Sequence, residues 1–275
     1  MKIAIIGLGL IGGSLAKAFK KFTDYDILGY DKNENVLAEA LKTGAIDEIF
    51  SFQDCDIIVS ALFPAQTIDF IRENAERIGL DTIVTDCGGV KEEVCEGVYP
   101  IAREYGFTFI GMHPMAGIEK FGFSHSFGDL FRGASLVITP YEDTPKDKLD
   151  LLSQTFLKIG FGGIKISTPK EHDKVIAYTS QLAHVLSASY IKSPSALMHH
   201  GFSAGSFKDM TRVARLNETM WTELFLENAD NLTEEIDCLI DNLKDFSNAI
   251  KTRDKDTLFE LLKDGREKKE LSEKI

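Results

Sequence analysis

Hydrophobic positions in the first part of the chain fall into short runs that are rich in β-branched side chains. Helix-like or loop segments separate most of these runs. Strands that alternate with helices in this way predict an α/β fold with a parallel, doubly wound sheet. The predicted strands are residues 3–6, 25–30, 56–60, 82–86, 107–110 and 135–138.

The pattern changes near residues 160–168. A last short strand is followed by Thr168, Pro169 and Glu171, which combine an N-cap threonine, a proline at the first helical position and a capping-box glutamate. Further on, apolar residues recur at near-helical spacing behind a predicted cap at Thr233. We therefore predict an α/β domain over residues 1–167 and an all-helical domain over residues 168–275. The recurring apolar positions are Ile236, Leu239, Ile240, Leu243, Phe246 and Ile250.

A glycine motif follows the first predicted strand. Gly7, Gly9 and Gly12 form G-x-G-x-x-G, and a helix-like stretch opens with Leu10 and Ile11. The first glycine makes a tight turn, the second lets backbone approach a pyrophosphate, and the third lets the helix pack closely on the strand. The helix N-terminus then faces the phosphates. The motif predicts a Rossmann-type dinucleotide-binding domain.

An acidic residue supplies the second half of this fingerprint. Asp31 ends the second predicted strand, about 20 residues beyond Gly12, where a carboxylate accepts hydrogen bonds from the adenosine ribose. Its charge repels a 2′-phosphate, so NAD is predicted rather than NADP, although Lys32 makes the exclusion less strict. The alternative is that Asp31 only caps a turn.

Composition excludes several classes of function. The chain has 275 residues, of which 44% are hydrophobic and 27% charged, as expected of a folded protein with about two domains. Lysine and arginine total 31 against 43 aspartate and glutamate residues, a net charge of -12, so neither nucleic acid nor a membrane surface is a predicted partner. No apolar run is long enough to span a bilayer. An anionic substrate would need a local basic pocket.

The cysteines indicate neither a metal site nor a redox motif. Cys55, Cys87, Cys95 and Cys238 show no C-x-x-C spacing and no nearby histidine. We therefore predict no metal. Four reduced thiols are typical of a cytoplasmic protein.

Candidate chemistry lies just after the predicted strands, because ligands of open α/β sheets bind beyond the carboxyl ends of the strands. Ser60 and Gly88 are predicted to contact the cofactor at two such ends. His113 follows the strand at 107–110 and is placed for acid or base chemistry beside the nicotinamide, since a histidine pKa of about 6.5 allows proton uptake near neutral pH. His184 is a second candidate. A single histidine more often has a structural role. Both predictions therefore rest on where His113 and His184 lie in the predicted fold.

Basic residues for an anionic substrate occur near residue 210. Lys208 and Arg212 share one face if this stretch is helical. Arg212 could then clamp a carboxylate through two hydrogen bonds. Spacing alone equally allows a surface ion-pair cluster with Asp209 and Glu218.

Four segments resemble the prephenate dehydrogenases of tyrosine biosynthesis, over residues 1 to about 250. The resemblance implies a Rossmann domain, a helical dimerisation domain and NAD-dependent oxidative decarboxylation of prephenate to 4-hydroxyphenylpyruvate, with His113 accepting the proton of the ring hydroxyl. Arogenate dehydrogenase is the alternative. The segments are residues 7–15, residues 113–117 with Glu119, residues 181–184, and residues 207–214 followed by Met220 and Trp221.

The resemblance also implies roles for other matched side chains. Arg212 would hold a substrate carboxylate, and His184 would lie near the substrate side chain. Lys208 and Glu119 would belong to a polar network at the pocket mouth. Trp221 would close the pocket across a dimer.

One position departs from the family pattern. Family members commonly carry a serine that contacts the ring hydroxyl, whereas this chain has Gly89 before Val90 and Lys91. That contact is missing here, and the choice between prephenate and arogenate stays open.

Two other functions compete with this interpretation. A β-hydroxyacid dehydrogenase uses K-x-x-x-N, and Lys244 to Asn248 fits that string, but it lies far beyond the domain boundary and Ile240 replaces the expected glycine. A non-catalytic NAD sensor would need neither His113 nor Arg212. Both alternatives are therefore less favoured.

The helical part presents several apolar faces, and domains of this kind often complete their core against a second copy. We therefore predict a homodimer through these helices. The residues concerned are Phe225, Leu226, Leu232, Ile236 and Ile240.

Overall fold

A computed structural model describes residues 1–51 and 55–274. In these ranges eight strands form one sheet in the order β3-β2-β1-β4-β5-β6-β7-β8. The strands are β1 (Lys2–Ile6), β2 (Asp26–Tyr30), β3 (Glu48–Ile49), β4 (Ile57–Ser60), β5 (Ile83–Asp86), β6 (Thr108–Pro114), β7 (Ser135–Thr139) and β8 (Gly163–Ile166). The helices are α1 (Leu10–Phe22), α2 (Glu34–Lys42), α3 (Pro64–Asn74), α4 (Glu92–Tyr105), α5 (Lys146–Leu157), α6 (Pro169–Ile176), α7 (Ala183–Tyr190), α8 (Gly205–Thr211), α9 (Glu218–Glu227), α10 (Ala229–Thr252) and α11 (Lys255–Ser272).

The strand order confirms the predicted Rossmann-type fold. Strands β1 to β6 pair in parallel, and the order reverses between β1 and β4, the switch point at which such sheets bind their ligands. One pairing departs from the predicted parallel arrangement, because β7 pairs antiparallel with β6. The sheet is therefore mixed, with its parallel part at the predicted dinucleotide site.

The sheet is buried on both faces. Along β1, Ile3 and Ile5 belong to one apolar cluster, whereas Ala4 and Ile6 belong to the other. This division follows from the two-residue period of a strand. The apolar residues at positions 3–6 of β1 are thus explained by helices on both sides of the sheet.

Two glycines of the motif are required by the turn between β1 and α1. Gly7 has a φ of 89°, which favours glycine, and a Cβ at Gly12 would overlap the carbonyl oxygen of Gly7. A Cβ at Gly9 would meet no atom within 4 Å. The fold therefore explains Gly7 and Gly12, whereas Gly9 leaves open space in front of α1.

All described elements after β8 are helical. The predicted helix start is confirmed, since the Thr168 side chain accepts a hydrogen bond from the Glu171 backbone at 3.1 Å and Pro169 opens α6. A π-helical turn, Ala177–Leu182, joins α6 to α7.

The predicted cap at Thr233 is wrong, because α10 already begins at Ala229. Asp230 lies in its first turn, where a negative charge stabilises a helix N-terminus. By internal contacts the chain divides into one compact unit that ends at Asn228 and a second that begins at Ala229. The division into residues 1–167 and 168–275 stays a prediction.

None of the described helices is both long and apolar enough to cross a membrane.

Candidate active site

A cleft of about 660 Å³ lies at the carboxyl end of the parallel strands, within the unit that ends at Asn228. The start of α1, the end of β6, the π-helical turn and α9 contribute to its lining. It brings together most of the predicted site residues. Those lining it are Gly9, Leu10, Ile11, His113, Glu119, His184, Arg212 and Trp221.

His113 lies inside strand β6 rather than in a loop after the strand. The residues that follow Ile110 continue the strand because they pair with β7, and His113 is opposite Val137. The preceding residue, Met112, is held through both of its backbone polar groups. Its N–H donates to the Asp86 carboxylate at 3.1 Å, and its carbonyl accepts from the Lys91 ammonium at 2.9 Å. A strand position restricts His113 more than a loop would.

Asp86 and Lys91 form a buried ion pair behind the cleft. Both side chains are almost wholly excluded from solvent, and the ammonium donates directly to the carboxylate. Asp86 also accepts from the Gly88 N–H at 2.7 Å. With the Met112 contacts, this pair ties the loop after β5 to the strand that carries His113.

A second buried network holds the His113 side chain. Its Nδ1 lies 2.9 Å from Nε2 of His172, and Nδ1 of His172 lies 2.6 Å from the Asp173 carboxylate. Asp173 in turn accepts the backbone N–H groups of Lys91 at 2.7 Å and Glu92 at 2.8 Å, so it caps α4. Sequence reasoning missed this network. The available signal was a histidine and an aspartate side by side in the first turns of α6.

Burial lowers the pKa of His113 well below its usual value, and electrostatic interactions with His172 and Lys91 lower it further. The imidazole is therefore neutral at neutral pH and able to accept a proton. This is the state that a general base requires.

The mouth of the cleft carries an exchangeable ion pair. Arg212 donates to Glu119 at 2.5 Å, and both side chains are exposed. Ion pairs of this kind contribute little to stability, so Arg212 can exchange Glu119 for a carboxylate of a ligand at small cost. The predicted cluster with Asp209 and Glu218 is not the one formed.

His184 and Trp221 form one wall of the cleft. Their ring centroids are 3.9 Å apart, and the His184 Nδ1–H donates to the Ser180 carbonyl at 2.8 Å. Burial lowers the pKa of His184, which keeps the ring neutral. The Trp221 side chain lines the cleft of its own chain, and its closing of a pocket across a dimer stays a prediction.

A smaller pocket of about 270 Å³ lies on the other side of the glycine turn. Asp31 lines it, and its carboxylate accepts from the backbone N–H of Leu8 at 2.8 Å and of Asn33 at 2.9 Å. Asp31 thus caps a turn and faces the pocket at once. Asp69 and Glu73 add negative charge that disfavours a further phosphate, although Lys32 also lines the pocket and Asp69 is paired with Arg72.

The start of α1 fits a dinucleotide. Gly9 is its N-cap and provides no side-chain cap, and the first turn holds no acidic residue. Backbone N–H groups at a helix start attract phosphate. Together with the open space at Gly9 and the carboxylate of Asp31, this matches the glycine fingerprint.

Four predicted site residues line neither of these two pockets, and one of them, Gly12, is the glycine whose Cβ would overlap the Gly7 carbonyl oxygen. Ser60 is buried, with its hydroxyl 2.8 Å from that of Thr67, and Ala61 lines the cleft instead. The backbone N–H of Gly88 donates to Asp86, and Gly89 lines the cleft in its place. Lys208 is an exposed residue of α8. Successive side chains of an extended chain face opposite sides, which explains why Ala61 rather than Ser60 lines the cleft.

The loop after β5 has two further features. A Cβ at Gly89 would meet only Leu224 side-chain carbons, at 3.5 Å and 3.6 Å, so the backbone could accept the serine of the family pattern. Cys87 also lines the cleft, and burial beside Asp86 raises its pKa, which keeps the thiol protonated. A protonated thiol is a poor nucleophile.

Fold and cleft together define a two-part oxidoreductase with a Rossmann nucleotide-binding region. Residues 15–164 match the family model of the prephenate dehydrogenase nucleotide-binding domain, and residues 168–264 match the model of the prephenate dehydrogenase dimerization domain. The chain belongs to the prephenate dehydrogenase family, and the resemblance seen in the sequence is confirmed.

Curated relatives agree with this assignment. A cyclohexadienyl dehydrogenase of Zymomonas mobilis is 34% identical, over 96% of this chain and 93% of that protein. A prephenate dehydrogenase of Lactococcus lactis is 32% identical, over 96% of this chain and 75% of that protein.

Two solved structures share the fold over nearly the whole length of this chain. The prephenate dehydrogenase from A. aeolicus, in complex with hydroxyphenyl propionate and NAD+, has a TM-score of 0.85 and 28% identity, covering 98% of this chain and 97% of that one. The arogenate dehydrogenase of Synechocystis has a TM-score of 0.82 and 26% identity, covering 99% and 100%.

Proposed function

We propose that the protein oxidises and decarboxylates prephenate to 4-hydroxyphenylpyruvate with NAD as the cofactor, a reaction of tyrosine biosynthesis. The observation that carries the proposal is the placement of a neutral histidine, His113, and a cation, Arg212, in one cleft beside the glycine turn. A dianionic substrate needs a local cation in a chain with a net charge of -12. The A. aeolicus relative, a prephenate dehydrogenase, was solved with NAD+.

The residues of the cleft divide the chemistry between them. His113 accepts the proton of the ring hydroxyl while hydride leaves the carbon that bears it. The ring carboxylate then departs as carbon dioxide, its electron pair completes the aromatic ring, and the ring oxygen takes the proton back from His113 to give the phenol. When bound, NAD accepts the hydride. Since aromatisation drives the reaction, the main task of the protein is to orient the substrate and its proton acceptor.

Four residues are suited to hold the cofactor. Gly9, Leu10 and Ile11 present the start of α1 to the pyrophosphate, and Asp31 accepts hydrogen bonds from the adenosine ribose. The acidic lining around Asp31 favours NAD over NADP.

Arogenate is a second candidate substrate. It carries an ammonium group where prephenate carries a keto group, and Glu119 places a carboxylate beside Arg212 at the cleft mouth. A substrate side chain with both charges could pair with both residues. The Synechocystis relative is an arogenate dehydrogenase.

The function is tested by following nucleotide reduction with prephenate and with arogenate, each with NAD and with NADP. We expect the fastest reduction with prephenate and NAD. Reduction with arogenate alone would assign the second candidate, and silence in all four mixtures would contradict a dehydrogenase of this class.

Replacing Arg212 by alanine is expected to raise the KM for the substrate by roughly 10- to 100-fold, because a charge-assisted hydrogen bond to a carboxylate is lost. The KM for NAD should stay unchanged. The control is Arg103→Ala, which removes an arginine of α4 that forms an exposed ion pair. Steady-state kinetics of the two variants are compared. Equal increases of both KM values would contradict the role of Arg212.

We also propose a cytoplasmic homodimer that uses the helical part, which matches a dimerization-domain model. Leu226 and Ile240 of the predicted face are exposed, as are Leu243 and Phe259, whereas Leu232 is buried in the single chain. Light scattering at micromolar concentration should give twice the chain mass of 30.6 kDa. A stable monomer would contradict the prediction.

A further inference from the structure

We infer that His172 and Asp173 are positioning residues that hold the proton of His113 on Nδ1, so that Nε2 is the nitrogen that accepts the substrate proton. The inference rests on the proposed function for its catalytic consequence. The proton arrangement itself rests on the contacts of the three side chains and on a neutral His172.

Asp173 can only accept hydrogen bonds in this arrangement. Its two oxygens receive the backbone N–H groups of Lys91 and Glu92 and also contact Nδ1 of His172. Backbone N–H groups can only donate, and they donate to both oxygens of this side chain. The inferred arrangement takes Asp173 as the carboxylate, to which His172 donates from Nδ1.

The direction of the next hydrogen bond follows. The inferred arrangement takes His172 as the neutral imidazole, which has one N–H and one lone pair, so that Nε2 of His172 carries the lone pair. Nδ1 of His113 lies 2.9 Å away and donates to this lone pair, whereas a His172 imidazolium would donate to Nδ1 and leave the His113 proton on Nε2. The lone pair of His113 is then on Nε2, and no described residue forms a hydrogen bond to that nitrogen. Because His113 lines the cleft, Nε2 is the atom available to a substrate.

The network is held rigidly enough to keep this arrangement. His172 and Asp173 are both buried, and the side-chain amide of Asn228 donates to the Asp173 carbonyl at 2.9 Å and to Gln181 at 2.7 Å. Capping of α4 needs only Asp173. The cap therefore does not explain His172, whereas control of the His113 proton does. In a Ser-His-Asp triad a carboxylate orients the catalytic histidine directly. Here a second imidazole, that of His172, lies between the carboxylate and the histidine.

Two variants of His172 separate positioning from packing. In His172→Gln the amide oxygen can still accept from His113, whereas in His172→Leu nothing can. We expect the leucine variant to lower kcat by roughly 10²-fold with unchanged KM for substrate and NAD. The glutamine variant should retain most of kcat. Equal kcat in wild type and the leucine variant, or equal loss in both variants, would overturn the inference.

The closing experiment is a ¹⁵N NMR spectrum of histidine-labelled wild-type protein without substrate, with His113→Asn used to assign the signals. The inference predicts that His113 carries its proton on Nδ1 and none on Nε2, and that His172→Leu loses this preference. A wild-type His113 protonated on Nε2 would overturn it, even if the leucine variant failed to fold. Because no substrate is present, the result is independent of the proposed function, which the four-mixture assay tests separately.

Discussion

His113→Asn is expected to lower the turnover of prephenate by roughly 10²- to 10⁴-fold, the usual contribution of a general base, while NAD affinity stays unchanged. Asparagine places an amide near the position of Nδ1, so it can still donate to His172, but it has no counterpart of Nε2. The substitution thus removes the proton acceptor and leaves the buried network in place.

The matched control is His200→Asn, which makes the same change at an exposed histidine outside both pockets of the described chain. Its turnover should equal that of wild type. Steady-state kinetics and NAD titration by fluorescence provide the comparison. Normal turnover in His113→Asn would remove this residue from the mechanism.

The same base determines the pH dependence. Since the pKa of His113 lies well below 6.5 in the folded protein, the active neutral form persists as pH falls through 7 and 6.5. Protonation of His113 should therefore leave the wild-type kcat/KM unchanged over this pH range. It should lower kcat/KM only at more acidic pH, where Nε2 takes up a proton.

Lys91→Met is expected to lower the free energy of unfolding by about 3–5 kcal/mol, because removal of one partner leaves the buried carboxylate of Asp86 without its counter-charge. The Met112 carbonyl loses a donor as well. Urea unfolding followed by circular dichroism measures the change.

The control for this prediction is Lys21→Met, which breaks an exposed pair with Asp129 and should cost about 0–1 kcal/mol. Adding Asp86→Asn to Lys91→Met should recover part of the stability, since the uncompensated charge is removed. A loss below about 1 kcal/mol in Lys91→Met would show that the buried pair is dispensable.

Local patterns in the sequence predicted the parts of the fold that depend on neighbouring residues. The turn at Gly7 and Gly12 and the α6 start at Thr168 each need contacts within a few positions, and both are present. The extension of β6 through His113 depends on its pairing with Val137 in a later strand. A pattern within one segment does not contain that information.

The residues of the candidate site also divide into those that the sequence predicted and those that it did not. His113, His184 and Arg212 were predicted from position and resemblance, and the structure brings them into one cleft. The partners that control His113 were missed, because His172 lies 59 residues from it along the chain. Buried polar networks join distant segments, so spacing rules for helices and strands do not reveal them.

The central claim is that one cleft removes hydride and carbon dioxide from the same substrate molecule. Its most direct test is to incubate the protein with prephenate and NAD and to quantify NADH, carbon dioxide and 4-hydroxyphenylpyruvate over time. The account predicts that the three appear in equal amounts and that His113→Asn slows all three together. NADH without carbon dioxide, or no NADH at all, would contradict it.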